Sequence, residues 1–129
     1  MKEKIAQFRF KGYRIVKSTI EIDTQKELIQ QLDVEFTQTS GINEQELLYK
    51  HTLVAKITNS NKSLSIEVHA EGYFEFDKDL TEKQKENFFN INAPSILFPY
   101  VRAYITALTS LAGVQPPVIL PTLNLSVRK

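Results

Sequence analysis

The 129-residue chain carries 16 basic and 15 acidic side chains for a formal net charge of +1, with 42% apolar and 24% charged residues. These proportions are those of one globular domain and exclude a disordered chain. The charge balance leaves no global field to attract nucleic acid or an anionic membrane, and the absence of cysteine excludes disulfides and thiolate metal sites.

No run approaches transmembrane length. The N-terminus, from Met1 to Phe10, is basic but lacks the continuous apolar core of a secretory signal, so a cytoplasmic location is expected. From Ile5 to Ile22 apolar residues largely alternate, but their phase slips. Phe8 and Phe10 share one parity, Tyr13 and Ile15 the other, and Ile20 and Ile22 return to the first. Side chains alternate faces along a strand, so each slip implies a bulge or bend, with Gly12 a good place for the first. Two short strands with a break would give the same pattern.

Asp23 to Gln31 is a polar connection carrying two apolar residues, Leu28 and Ile29. Leu32, Val34 and Phe36 then alternate with Asp33, Glu35 and Thr37, as in a half-buried strand. Ser40, Gly41 and Asn43 predict a turn. In a third strand Tyr49, Leu53, Ala55 and Ile57 share one face. Lys50, Thr52, Lys56 and Thr58 share the other, which Val54 interrupts. Asn59 to Lys62 reads as a hairpin turn. The fourth strand is the clearest: Leu64, Ile66, Val68, Ala70, Phe74 and Phe76 face one way, and Ser65, Glu67, His69, Glu71, Tyr73 and Glu75 the other.

Thr81 with Gln84 predicts a capping box opening a short helix that runs to about Phe89. A long amphipathic helix follows, with Leu97, Val101, Tyr104, Ile105, Leu108 and Leu111 at spacings of three and four. Pro94 precedes it, Pro99 is expected in or near its first turn, where a missing N–H costs little, and Gly113 ends it. The prolines between Val114 and Pro121 require an extended segment. The helix is apolar over more of its circumference than one sheet can cover, so part of it is expected to meet another subunit, through Leu97, Val101, Tyr104, Ile105 and Leu108. The fold class that follows is α+β: four antiparallel strands, then helix, with the long helix packed on the sheet.

A search for catalytic chemistry comes back nearly empty. The four glycines are too scattered for a phosphate loop, and His51 and His69 alone offer no metal-ligand spacing. Glu67 and Glu71 are paired carboxylates in form, but a solvated strand face is their ordinary setting. Phe8 to Arg14, with interleaved basic and aromatic residues, is the one local candidate for nucleic acid, and its aromatics serve equally well as core positions. The acidic row Glu67, Glu71, Glu75 either presents a negative stripe to a basic partner or simply solubilises the sheet.

Three stretches together resemble the SecB-type protein-export chaperones. Ile96-Leu-Phe-Pro-Tyr100, with Pro94, Arg102, Ile105 and Thr106 around it, is similar to the start of that family's long helix. Pro116 to Asn124 is similar to the proline-rich segment that follows it, and Leu64 to Phe74 to the fourth strand. Leu32 to Phe36 fits the second strand more loosely. The resemblance implies a dimer of dimers with helices sandwiched between sheets, and a cofactor-free chaperone. Such a chaperone holds unfolded chains along apolar grooves and hands them to the SecA translocation motor. It carries Glu67, and with it Glu21, over as motor contacts.

Three features depart from the family pattern. The connection Asp23–Gln31 is shorter and offers only Leu28 and Ile29 as groove lining. The chain ends at Lys129, too soon for the family's final helix, so a single domain over residues 1–129 without that helix is expected. Ser65 stands where an apolar residue is usual and Lys17 where an acid is. A specialised relative fits these departures, and some SecB-like proteins serve as dedicated chaperones of an antitoxin. The expected function is therefore ATP-independent binding of unfolded or partly disordered polypeptides, for export or for one antitoxin, with no enzymatic step. Client contacts are expected at Leu28, Ile29, Leu32, Val34 and Phe36. A small adaptor or ligand-binding protein on the same scaffold is the alternative of a different class.

Overall fold

Alternation in the first half of the chain becomes four long strands. A computed structural model describes residues 7–121: β1 (Phe8–Ile22), β2 (Leu32–Asn43), β3 (Leu48–Asn59), β4 (Leu64–Phe76), α1 (Glu82–Asn87), a π-helical turn (Phe88–Asn92) and α2 (Ala93–Leu111). The strands form one antiparallel sheet in the order β1-β4-β3-β2, so β1 and β2 are its edges. This is the expected α+β architecture of a four-stranded sheet with one long helix against it.

β1 is a single strand, and its two phase slips are register shifts against β4, one between Phe10 and Gly12 and one between Ile15 and Lys17. Gly12 holds the first with φ +130°, a backbone conformation that other residues rarely adopt. The turn after β2 lies later than Ser40 and Gly41, which remain paired with His51 and Lys50. It falls at residues 44–47, where the Asn43 side-chain oxygen accepts from the backbone N–H groups of Gln45 and Glu46, and Leu47 takes φ 56°. The side-chain acceptor fixes the turn position, and the small polar pair is tolerated on an open edge.

The capping box is present: Thr81 accepts from the Gln84 backbone, and Gln84 Oε1 accepts from the Thr81 N–H. Helix continues from there without a break. The π turn lets the Ala93 N–H bond back five residues to Phe88, and Pro94 then sits where no intrahelical N–H is needed. Pro99 consequently lies inside α2, not in its first turn.

Two packed clusters hold the fold. An aliphatic core joins Leu53, Ile57, Leu64, Ile66 and Val68 of the sheet to Leu97, Val101 and Ile105 of α2, and to Val114, Val118 and Leu120 of the extended segment. An aromatic cluster occupies the other end, where Phe8 stacks on Phe74 at 4.7 Å and on Phe88 at 5.1 Å, and Tyr49 stacks on Phe89 at 4.1 Å. The stripe on α2 ends differently from its sequence reading. Leu111 is 89% exposed, and Thr109, four residues beyond Ile105, is fully buried instead. Its hydroxyl donates to the Ile105 carbonyl at 2.8 Å and accepts from the Val118 N–H at 2.9 Å, so it pins the extended segment to the helix. The sequence ending Leu125 to Lys129, where the lack of a final helix is expected, lies outside the described residues.

Candidate polypeptide groove and partner surfaces

The apolar residues of β2 share a face because of their register. Leu32, Val34 and Phe36 lie opposite Asn59, Ile57 and Ala55, so their side chains point to the helix-bearing side of the sheet. α2 lies over β3 and β4, the two central strands, which leaves the β2 row at the margin of its cover. Leu28, Leu32 and Phe36 pack partly on the core, and the edge of the Phe36 ring meets Phe98 at 5.7 Å. Ile29 is half-buried, Val34 is 37% exposed, and Ile42 at the far end of the row is 49% exposed. Among the described residues no strand pairs with the outer edge of β2. The five residues expected to meet a client are thus brought together beside an open backbone edge, with Ile42 added to them.

The connection that carries Leu28 and Ile29 is held by the β3–β4 hairpin. Asn59 donates to the Ile29 carbonyl at 3.0 Å and to Ser63 Oγ at 2.6 Å, and its own carbonyl accepts from the Leu64 N–H. Asn61 donates to the Glu27 carbonyl at 2.8 Å, and the Ser60 N–H to the Gln31 carbonyl at 3.1 Å. The sequence marks this hairpin only as a turn, yet its side chains position the groove.

On the opposite, helix-free face the acidic row is met by the chain's own cations. Glu67 lies 2.6 Å from His69 Nε2 and 3.1 Å from Lys17 Nζ, Glu71 lies 3.4 Å from Lys50, and Glu75 lies 3.4 Å from Lys11. The hydrogen bond from His69, and after it that from Lys17, holds the Glu67 carboxyl below its ordinary value. Tyr73 does the same for Glu71. Glu21 is exposed and pairs with Ser65, diagonal to Glu67 on the same face, so the two acids expected to meet a partner are neighbours.

Phe8 and Phe10 of the first strand point inward, with Phe10 stacked on Tyr100 at 5.7 Å, while Tyr13 stacks on the same ring at 4.4 Å but stays 40% exposed, and Lys11 and Arg14 are exposed. His51 is buried between Tyr49 and Gln38, its Nε2 at 2.6 Å from Gln38 Oε1, and burial lowers its pKa to about 4. Among the described residues no group of three or more His, Asp or Glu side chains is placed to hold a metal ion, and no helix is long and apolar enough to cross a membrane.

The helix residues expected at a subunit contact divide into two groups. Leu97, Val101 and Ile105 have no accessible surface in the single chain, because the central strands cover them. That corrects their assignment: they are core. Tyr104 and Leu108 are half-buried at the edge of the same cluster, with the Tyr104 hydroxyl donating to Ser18 Oγ at 2.9 Å. The outer side of α2 carries small residues instead. Ala103, Thr106, Ala107 and Ser110, with Pro117 and Ile119 of the extended segment, line a shallow hollow of about 530 Å³.

The fold is shared with solved proteins. A SecB-like chaperone of Mycobacterium tuberculosis, Rv1957, in complex with a ChAD peptide from the HigA1 antitoxin, aligns with a TM-score of 0.75 at 18% identity, over 91% of each chain. A protein of unknown function from Streptococcus agalactiae aligns with a TM-score of 0.51 at 12% identity. In sequence, an uncharacterized protein of Methanocaldococcus jannaschii is 40% identical over 85 residues, which is 60% of this chain and 52% of the relative. The protein-export protein SecB of Orientia tsutsugamushi strain Boryong is 30% identical over 104 residues, 81% of this chain and 64% of the relative. The matched stretches therefore span about half to two thirds of these two relatives. The model of the family described as preprotein translocase subunit SecB matches residues 14–127, nearly the whole chain, which belongs to the SecB family.

Proposed function

We propose that this chain is an ATP-independent chaperone that holds unfolded or partly disordered polypeptide along the open edge of β2. The observation that carries the reading is the row Leu32, Val34, Phe36 and Ile42, partly uncovered beside a strand edge that pairs with nothing among the described residues. An extended client can add backbone hydrogen bonds to that edge and place alternate side chains on the apolar row, with Leu28 and Ile29 continuing it. This is binding without a chemical step, and it needs no cofactor. Membership of the SecB family supports it. The test is suppression of aggregation of an unfolded client at stoichiometric amounts, by wild type and by Val34→Asp. The reading expects protection by wild type and its loss in the variant. No protection by wild type, with the fold intact, would sink it and leave an adaptor role on the same scaffold.

Service to one client, an antitoxin, is the second reading. The favouring observation is the fold neighbour in complex with an antitoxin peptide. Cross-linking in cells separates the two: one stoichiometric partner supports the dedicated role, and many nascent chains support general export. For export, the SecA motor would dock at Glu67 and Glu21. Comparing its retention by wild type and Glu67→Lys tests that contact.

A homo-oligomer, either a dimer or a dimer of dimers, is part of the proposal. Tyr104, Leu108, exposed Leu111 and Ile119, and the small-residue face of α2 are its contact surface. Light scattering should give a mass above that of one 14.8 kDa chain. Tyr104→Glu should lower it, since burying an unpaired charge costs several kcal/mol.

A further inference from the structure

The helix-free face does not end as it begins. At the Glu67 end it is charge-paired. At the other end two hollows open side by side, sharing Lys11 and Tyr73 as walls. One, of about 480 Å³, is lined on this face by Leu48 and Lys50 of β3, Tyr73 and Glu75 of β4, and Gly41 and Asn43 of β2, and it also touches Ile42, the far end of the β2 row. The other, of about 520 Å³, is lined by Lys11, Gly12, Tyr13, Arg14 and Tyr73. Two glycines keep them open, because a Cβ built at Gly12 or Gly41 would meet nothing within 4 Å. Gly12 is also fixed by its backbone, at φ +130°. The register shift between Phe10 and Gly12 places Lys11 opposite no residue of β4, and Lys11 lines both hollows.

The chemistry of the lining is specific. Leu48 is 43% exposed, an apolar side chain with no core role, and the Tyr73 ring stands beside it. Lys11 and Lys50 each pair with a carboxylate, Glu75 and Glu71, yet each side chain is about half exposed. Arg14 is exposed, lines the second hollow with Tyr73, and stands opposite Glu71 in the register without a salt bridge to it among the described residues. Three cations, Lys11, Arg14 and Lys50, thus share the two carboxylates Glu71 and Glu75 beside an apolar floor, and the cation in excess is complementary to a carboxylate carried beside an apolar group.

The geometry points to a second docking surface here, for an acidic segment of a partner polypeptide that anchors one apolar side chain against Leu48 and Tyr73 and sets a carboxylate on Arg14. Leu48, Tyr73 and Arg14 lie on the face opposite Leu32, Val34 and Phe36, so the surface stands independently of the chaperone reading except at Ile42, which borders both. The sign is the reverse of the one the acidic row of β4 leads one to expect: this end of the face attracts anions.

The probe is a fluorescein-labelled heptapeptide with one central leucine between glycines and two glutamates at each end. Its counterpart has lysines in place of the glutamates. By fluorescence anisotropy at low salt the glutamate peptide should bind saturably and at least about tenfold more tightly than the lysine peptide. Arg14→Glu should weaken it by about fivefold or more, and Arg14→Gln by a smaller factor, with added salt eroding the difference. Both substitutions lie on an exposed side chain, and an unchanged thermal midpoint shows that the variants fold. Val34→Asp, on the other face, should leave the affinity unchanged. Equal affinity for the two peptides, no saturable binding, indifference to Arg14→Glu, or loss of binding in Val34→Asp would each overturn the assignment. Failure of the aggregation assay would bear on the β2 groove alone.

Discussion

Replacing Thr109 by valine keeps the shape of the side chain and removes only its hydroxyl. In the folded chain that hydroxyl accepts the Val118 N–H at 2.9 Å, in a place where both residues are buried. Valine would leave the N–H without a partner, at a cost of about 1–3 kcal/mol. The Ile105 carbonyl, which also loses its bond from the hydroxyl, keeps its place as acceptor in the helix ladder, so it adds little. Serine at the same position keeps both hydrogen bonds and loses one methyl group, about 1 kcal/mol. The polar account therefore ranks wild type above Thr109→Ser and Thr109→Ser above Thr109→Val, whereas an account by apolar burial alone puts valine first. Urea unfolding at one fixed protein concentration gives the ranking, because any association of the native chain shifts the apparent stability. Hydrogen exchange at the Val118 amide should accelerate in Thr109→Val and stay slow in Thr109→Ser. A Thr109→Val protein as stable as wild type would refute the claim that this hydroxyl holds the extended segment on α2.

Three further outcomes follow from buried groups. The unfolded His51 imidazole takes a proton below about pH 6.5, but the folded one only below about 4. Its contribution is therefore fully present above pH 6.5 and is lost as pH falls towards 4, by an amount on the order of 3 kcal/mol, and His51→Gln should flatten that part of a stability–pH curve. At Gly72 a Cβ would stand 3.2 Å from Phe74 and 3.4 Å from Leu97, and because the buried Phe74 ring is held by Phe8, Phe10 and Tyr49 and has little room to give way, Gly72→Ala should destabilise by about 1–3 kcal/mol in thermal unfolding. Asn59→Ala leaves the Ile29 carbonyl and the Leu64 N–H without their side-chain partners. It should cost about 1–3 kcal/mol and, by hydrogen exchange, loosen the connection carrying Leu28 and Ile29.

The sheet was legible where burial is one-sided. In β3 and β4 every second side chain is buried on the helix-bearing side, so the sequence alternates there apart from Val54, and even the slips of β1 correspond to real register shifts. The turn expected over Ser40, Gly41 and Asn43 opens only at Asn43, because Ser40 and Gly41 have turn chemistry but on an open edge strand nothing prevents their staying paired. The signal that mattered was Asn43, whose side chain closes the next turn. On α2 the spacing of four running 97, 101, 105 leads to 109, but a threonine there reads as the polar side until the returning Val118 N–H is known. Long-range hydrogen bonds leave no periodicity. The same limit applies to the partner surfaces, since the acids of β4 are visible in sequence while the cations that neutralise them arrive from β1 and β3.

That neutralisation bears on how a partner could use Glu67. A basic group docking there has to displace Lys17, or share the carboxylate with Lys17 and His69, and exchanging one exposed ion pair for another gains little. The affinity of such a contact must come from apolar surface next to the carboxylate, and the neighbouring positions offer Ser65 and Thr19, both exposed. The β2 margin has the opposite balance: its apolar side chains are already partly dehydrated against the core, and among the described residues its backbone edge is open with no partner strand to displace. For the proposed polypeptide binding these grounds put the energetic weight on the β2 side of the sheet, and leave the proposed contact at Glu67 and Glu21 a role in orientation and encounter rate more than in affinity.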